Sequence, residues 1–499
     1  MPKKVFFGLV GLLTILVVWN FLTLCKIQNK NSKSQCITGY QTLQGLNRTK
    51  KFEYLIELYL KPWKVNEAFG FNVKIYEEAF DFLEPLLRMG GFRVRLHRRR
   101  VFYRATGHWY QTYRNQRMEW LLKFLTSLLN PNSEMPMSRA QRTLLKYDKP
   151  IEFFVNVGDG PRITIDSSSG SLAGFPIFSF RTSSLHIDIP IPDPVEYGSN
   201  GNYVWDEFEG NSVNGHQAFG NSNTSHVNSE LAWEIKESRA VFRGSSSCFQ
   251  LHKSNWYLCP RIPLAKLSIL KPDLLDAGIT SWIKLSPNLT NEEIESSLEL
   301  GLRQTKTHRE EARYKYILDV DGGLGSSRKR GILGSGSVLL AQDSPWKQWY
   351  EPLLIPFHHY VPVARNLEDL LDKIMWSKEN DAAMKNMAKE AKSFVSENIS
   401  LDAIHEYWSL LLLHYAELLH GIPVLDTPVR YTPCLSNKSL VRNGPLGCVR
   451  LWLEFKQNDT TVPFGCRFHS RSSNHFCWRQ IPGYAKETKY GVETPYNLQ

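Results

Sequence analysis

Apolar and polar positions along this chain fall into one unbroken apolar run followed by alternating helix-like and strand-like segments. The run is Val5 to Cys25, VFFGLVGLLTILVVWNFLTLC, with no charge and one strongly polar residue, Asn20. At about 1.5 Å of rise per residue it is long enough to cross the hydrocarbon core of a bilayer. No small-x-small site closes it, so it reads as an uncleaved signal anchor, with a cleavable signal peptide as the competing reading. Residues 1–4 are then a cytoplasmic tail, 5–25 the transmembrane anchor, 26–50 a polar stem, and the remainder is luminal in type II orientation.

Helical spacing dominates from Glu53 to Leu87. Tyr54, Leu55 and Leu58 mark one apolar face and Ile75, Ala79, Phe82 and Leu86 another, and Pro62 is expected to interrupt between them. Strand-like text runs from Phe92 to Tyr103, and a helix from Trp120 to Leu129 precedes Pro131. The runs Ile151–Val157, Phe175–Phe180, Ala240–Phe242, Tyr316–Val320 and Val338–Leu340 are short and apolar, as buried parallel strands are. Residues 194–229, rich in Gly, Asn and Ser, read as loops over a cleft, and a helical region spans Leu367 to about Leu419. Strands alternating with helices predict an α/β fold with parallel sheets. At 499 residues, more than one domain is expected, with boundaries at 51–238 and 239–420, followed by a cysteine-bearing appendage, 421–499.

Composition adds little to that picture but excludes some classes. The chain is 42% apolar and 22% charged, which is globular rather than disordered. The formal net charge of +11 would suit an anionic partner, but the basic residues are dispersed. Their densest run, FRVRLHRRRVFYR (92–104), alternates as a strand with one charged face. No nucleic-acid-binding signature accompanies the charge, so nucleic acid is not an expected partner. Eight cysteines without a CxxC pair argue against zinc and thioredoxin-type sites and for disulfides in an oxidising lumen. Their connectivity is not readable. Six Asn-x-Ser/Thr sequons, Asn47 and Asn398 among them, agree with that compartment.

Ligands of open α/β sheets bind beyond the carboxyl ends of strands. Three strand ends carry usable chemistry. Asp159, in Gly-Asp-Gly-Pro after Val157, could take a proton from an attacking hydroxyl, although by spacing alone such an aspartate is by default a turn residue. Arg243, Gly244 and Ser245 follow Phe242, and Asp321-Gly-Gly-Leu-Gly-Ser-Ser-Arg328 follows Val320. Glycines let backbone N–H groups approach a diphosphate, and arginines supply forked donors. Asp319-Val-Asp321 has the form of a metal-holding DxD but more often simply ends a strand.

Taken together, these segments carry a resemblance. YKYILDVDGGLGSSRKRGILGSGSVLLAQDSPWKQWYEPLLIPFHHYVPVARNLEDLLDKIMWSKEND closely resembles the Rumi-type protein O-glucosyltransferases, glycosyltransferase family 90. IEFFVNVGDGP (151–161), FPIFSFRTS (175–183), FRGSSS (242–247), RIPLAKLS (261–268) and PDLLDAGIT (272–280) recur in the family's order. The resemblance implies a GT-B arrangement of two Rossmann-like domains with a cleft between them. It further implies an inverting transfer of glucose or xylose from UDP-glucose or UDP-xylose to a serine of a secreted protein or to a glycan, with no metal and no cofactor beyond the co-substrate. Asp159 falls on the catalytic-base position. Arg243, Gly244, Ser245, Arg261 and Gly323, Leu324, Gly325, Ser326, Ser327 and Arg328 fall on the donor side, with Arg328 as diphosphate clamp. Phe178 and Ser179 look like donor-side wall. Gly158 stands where several animal members carry arginine, and the chain ends Tyr-Asn-Leu-Gln rather than in a KDEL-type signal, which together with the anchor points to the Golgi over the endoplasmic reticulum. The competing class is a catalytically inactive luminal carbohydrate-binding or chaperone protein on the same scaffold.

Overall fold

The computed structural model describes residues 43, 45–64, 91–105, 112–133, 135–164, 176–196, 231–248, 256–283 and 290–419, with three short strands at 453–455, 466–467 and 476–477. The expected membrane anchor, the stem up to residue 42, the second apolar helix face (Ile75 to Leu86) and most of the 194–229 loop lie outside these residues. Among the described residues no helix is long and apolar enough to cross a membrane.

The fold is α/β, built on two sheets. Helix α1 (Arg48–Lys64) opens the first lobe. Pro62 does not interrupt it. The proline lies in the last turn, where the helix is about to end. Its buried face is Phe52, Leu55, Ile56, Tyr59, Leu60 and Trp63, while Tyr54 is exposed. Next come the hairpin β1 (Gly91–His97) and β2 (Arg100–Ala105), helices α2 (Thr112–Leu128) and α3 (Arg139–Leu144), and strands β3 (Ile151–Asn156), β4 (Ile177–Ser179) and β5 (Ile189–Pro190). The hairpin turns on Arg98 and Arg99, both with positive φ (49° and 61°).

Only half of this sheet is parallel. β3, β4 and β5 run parallel, while β1 pairs antiparallel with both β2 and β3. The charged face expected on β1 exists but is turned inward. Arg93 and Arg95 are buried on the Glu152 carboxylate of β3. The shared carboxylate offsets part of the cost of taking the two guanidiniums out of water.

The second lobe alternates strand and helix: β6 (Glu237–Gly244), α4 (Arg261–Leu270), β7 (Leu275–Ile279), α5 (Asn291–Leu298), α6 (His308–Glu311), β8 (Tyr314–Asp319), α7 (Lys329–Gly334), β9 (Val338–Gln342) and β10 (Val361–Val363). All five strands are parallel, in the order β10-β9-β8-β6-β7. Renumbered within the lobe, this is the 2-1-3-4-5 order of a doubly wound sheet. Its direction of winding reverses between β6 and β8, and such a sheet opens a ligand crevice at that switch point.

Helices α8 (Leu370–Glu379), α9 (Asp381–Asn398) and α10 (Leu401–Ala416) close the core. α10 returns to the first lobe. Trp408 lies 6.2 Å from the Phe153 ring and 6.0 Å from Phe178, and Tyr415 lies 5.0 Å from Phe178. Tyr407 Oη donates to the Pro190 carbonyl and Tyr415 Oη to that of Glu152. The lobes also meet directly. Thr182 and Lys347 exchange two backbone hydrogen bonds (2.9 and 2.8 Å), and Arg330 donates to the Glu196 carbonyl at 2.6 Å. One apolar cluster therefore runs from α1 through the first sheet to α10, Trp349 and Ile332. The chain beyond 420 is not wholly separate, since β11 (Leu453–Phe455) adds to the first sheet by pairing with β2. The last strands, β12 (Cys466–Arg467) and β13 (Phe476–Cys477), pair with each other.

Candidate active site

The carboxyl end of β3 is strapped by its own last residue. Asn156 Oδ1 accepts from the Gly158 N–H (3.0 Å), and its Nδ2 donates to the Gly160 carbonyl (2.7 Å) and to Ser179 Oγ (3.1 Å). Asp188 secures the far side. It accepts from the N–H groups of Arg162 and Ile163 and from Ser179 Oγ, at 2.8, 2.7 and 2.6 Å. Burial pushes its carboxyl up to about 6, against the pull of those bonds. Asp159 is the apex of this braced turn. Its side chain is 45% exposed, and Arg117 Nη1 of α2 reaches Oδ1 at 2.7 Å.

Across the lobes, the ends of β6 and β8 are stapled by Arg261, the first residue of α4 and 9% exposed. Its Nε and Nη2 donate to the Val320 carbonyl (3.1 and 2.9 Å), and Nη1 donates to the Ser245 carbonyl and to Ser247 Oγ (2.9 Å each). All three of these acceptors are neutral. Burial first, and the charge of Arg328 second, lower its pKa to about 10. Arg328 Nη2 donates to both carboxylate oxygens of Glu311 (2.7 and 2.6 Å) and Nη1 to the Arg243 carbonyl (2.9 Å). Burial opposes the Glu311 carboxylate, but His308 and Arg328 together hold its pKa below the usual value. Both guanidiniums lie over the Phe242 ring, at 5.5 and 5.4 Å. A disulfide between Cys248 and Cys259 ties the loop after β6 to the start of α4.

Between these ends runs the glycine-rich loop 321–328. A Cβ on Gly322 would collide with Ser247 and lie 3.2 Å from Arg261 Cζ, so only glycine lets the loop cross the staple. The N–H of Gly323 donates to Ser247, that of Asp321 to Gln342 Oε1 and that of Arg328 to Ser326 Oγ. Those of Gly322, Leu324, Gly325, Ser326 and Ser327 donate to nothing among the described residues. A cavity of about 780 Å³ opens against Asp321, Gly322 and Gly323, walled by Cys259, Pro260 and Pro263 on one side and by Trp346 and 364–368 on the other. That size suits a nucleotide-sized ligand.

The two lobes meet at this loop. An added Cβ on Gly160 would lie 3.0 Å from Leu324. Arg181, 3% exposed, donates to the Asp159 carbonyl (3.0 Å) and to Ser327 Oγ (2.6 Å). Thus Asp159 and Ser327 are joined through Arg181, and Arg261 lies against Gly244, Ser245 and Gly322, while of the predicted donor-side residues Gly323 lines the cavity. Others do not join them as expected. Arg243 turns its guanidinium away, to Asp276 Oδ1 (2.7 Å) and the carbonyls of Asp276 and Gln304, and offers the site only its own carbonyl. Phe178 and Ser179 form no donor wall, because both are fully buried. Phe178 stacks on Phe153 at 4.7 Å, and Ser179 sits beneath the Asp159 turn.

Asp319 and Asp321 face different neighbours. Asp319 lies 3.9 Å from Lys329 Nζ, and burial raises the Asp321 carboxyl. Among the described residues no three His, Cys, Asp or Glu side chains group as metal ligands do. Sequence reasoning missed Arg117, Arg181, Asp193 and Glu311. Arg181 carried a signal, being a charge just beyond a buried strand. Arg117, on a mixed polar helix, carried none.

A doubly wound sheet with a cavity at the carboxyl ends of its strands, beside a glycine-rich loop, is the type of scaffold on which nucleotides bind. The model of the family described as Glycosyl transferase family 90 matches residues 142–433, more than half of the chain, and the chain belongs to that family. Among curated proteins it is 30% identical over 302 residues to Protein O-glucosyltransferase 3 of Homo sapiens, covering 60% of this chain and 53% of that one. To Protein O-glucosyltransferase 2 of Danio rerio it is 29% identical over 272 residues, covering 54% and 47%. The chain thus spans about half the length of these curated relatives. Among solved structures, "Crystal Structure of TarM" aligns over 36% of each chain at 18% identity with a TM-score of 0.27, too low to define a shared architecture.

Proposed function

We propose that the chain is an inverting glycosyltransferase of GT-B type, transferring glucose or xylose from a UDP-sugar to a hydroxyl of a secretory-pathway protein or glycan. The observation that carries this reading is the glycine-rich loop itself: the backbone N–H groups of 322 and 324–327 have no partner among the described residues, Gly322 and Gly323 line the cavity, and Leu324 lies against Gly160 of the Asp159 turn. Open N–H groups on a glycine-rich turn bind phosphate oxygens. Arg261, a buried cation bonded only to neutral acceptors, adds positive potential that an incoming diphosphate would balance.

The Asp159 carboxylate accepts the proton of the acceptor hydroxyl. The hydroxyl oxygen attacks the anomeric carbon from the face opposite the diphosphate, the bond from that carbon to the β-phosphate oxygen breaks with its electron pair, and UDP departs. Backbone dipoles and guanidinium charge can offset the leaving-group charge, so the reading needs no metal. The names of the relatives favour glucose, although glucose and xylose differ only by a hydroxymethyl group and hence by pocket volume. The apolar run Val5–Cys25 and the Cys248–Cys259 disulfide favour a Golgi or endoplasmic-reticulum membrane protein with its catalytic part in the lumen.

Incubating purified chain with a panel of UDP-sugars and measuring UDP release tests the proposal. Release above the no-enzyme rate with UDP-glucose or UDP-xylose supports it, and binding without turnover for every donor and acceptor would favour the inactive carbohydrate-binding class.

A further inference from the structure

We propose that Arg117 and Arg181 are positioning residues that make the base dependent on the placement of the glycine-rich loop. The proposal rests on the reading of Asp159 as base. Five side chains from five segments close a ring through both lobes. Arg117 Nη1 holds Asp159 Oδ1 at 2.7 Å, and its Nη2 lies 3.7 Å from Asp193 Oδ2. Asp193 Oδ2 accepts from Ser327 Oγ at 3.2 Å. Ser327 Oγ accepts from Arg181 Nη2 at 2.6 Å, and Arg181 Nη1 returns to the Asp159 carbonyl at 3.0 Å. Four of the links are hydrogen bonds with consistent roles, since the serine hydroxyl gives one hydrogen and receives one, and the Arg117–Asp193 link is an ion pair.

The ring enters the second lobe at one residue, Ser327, which belongs to the loop proposed to hold the diphosphate. Asp193 and Arg181 are 1% and 3% exposed, so the circuit is shielded from water on that side. Arg181 Nε is buried without a partner, so the two terminal nitrogens alone fix its guanidinium by hydrogen bonds. A shift of Ser327 therefore moves Arg181, and with it the backbone of Asp159. Without such restraint, a turn carboxylate that is 45% exposed would sample several rotamers. Held at both its side chain and its carbonyl, it keeps one direction relative to the loop. Arg117 lies outside residues 142–433, so its assignment comes from this geometry and not from the family match.

The test uses the full chain with UDP-glucose, reading kcat from UDP release and UDP affinity from calorimetric titration. Arg117→Met and Arg181→Met should each lower kcat about a hundredfold, the size expected for a misplaced reacting group, while UDP affinity stays within about threefold. Arg117→Lys should recover part of the loss. The double variant should be no slower than the worse single one, because both break the same ring. Multiplying losses, or a fall in UDP affinity that matches the fall in rate, would overturn the proposal. If Arg181→Met does not fold, Ser327→Ala serves in its place. It should also slow kcat, and combining it with Arg117→Met should add nothing. Should Asp159→Asn be inactive while the arginine variants keep the wild-type kcat, this inference fails and the base stands. Should Asp159→Asn itself turn over normally, the base reading fails.

Discussion

The two sides of the crevice are built on opposite plans. On the first lobe the chemical group is left open: Asp159 stands at the tip of a turn, half in solvent, while the bracing falls to Asn156 and Asp188 behind it. On the second lobe the charged groups are enclosed, with Arg261 buried and Arg328 mostly so. The difference fits the roles proposed for the two sides. A proton acceptor has to touch a substrate. Arg261 holds the backbone of Val320 and Ser245, and Arg328 ties the Arg243 carbonyl to Glu311, so both brace the strand ends beside the glycine-rich loop.

Removing the open group should be the most drastic break in this contrast. Asp159→Asn should cost about 10²–10⁴-fold in kcat, with UDP affinity unchanged within a small factor, by UDP release and titration. On the enclosed side, Gly322→Ala should lower UDP affinity at least about tenfold and destabilise by about 1–3 kcal/mol, because the methyl meets Ser247 and Arg261. Titration and chemical denaturation would show both effects. Arg261→Lys keeps the charge but cannot reach Val320, Ser245 and Ser247 together. Leaving buried carbonyls unpaired should cost about 1–3 kcal/mol, seen in denaturant midpoints, with a smaller loss of UDP affinity than at Gly322.

The smallest effect concerns the joint between the lobes. Glu196 accepts from Trp349 Nε1 (3.1 Å) and Gln348 Nε2 (3.2 Å), and burial, aided by the charge of Asp193, pushes its carboxyl up to about 8. A raised carboxyl favours the folded state fully below the unfolded value of 4.5, and that contribution disappears as pH rises through about 8. Melting temperatures of Glu196→Gln should therefore fall less than those of the unaltered chain between those limits. An unchanged difference across the window would mean that Glu196 is already ionised there.

In the second sheet β6, β8 and β9 were readable in the sequence, because each holds a short apolar run, whereas β7 (LDAGI) breaks its run with Asp276 and Gly278 and β10 is three residues long. The first sheet was less so. Arg93 and Arg95 read as a solvated face because nothing local reports that Glu152, on another strand, will neutralise them. Phe178 and Ser179 sat in a motif-bearing segment yet serve packing and turn support. Pro62 reads as a break, but a proline near a helix's last turn costs little. Arg117 has no pattern to betray it: its meaning arises only when α2 lies beside the end of β3. Arg243 shows the converse, a charge at the right strand end whose side chain is claimed by Asp276.

The returning helix α10 has a consequence for how the protein is made. Phe153 and Phe178 lie on strands synthesised long before Trp408 and Tyr415, the residues that cover them. While the nascent chain emerges, that apolar surface stays bare through more than two hundred further residues, so the first lobe cannot reach its final packing before the last long helix leaves the ribosome. A premature stop anywhere before α10 would thus leave the first sheet without its cover and without β11, although β1 to β5 had already been translated.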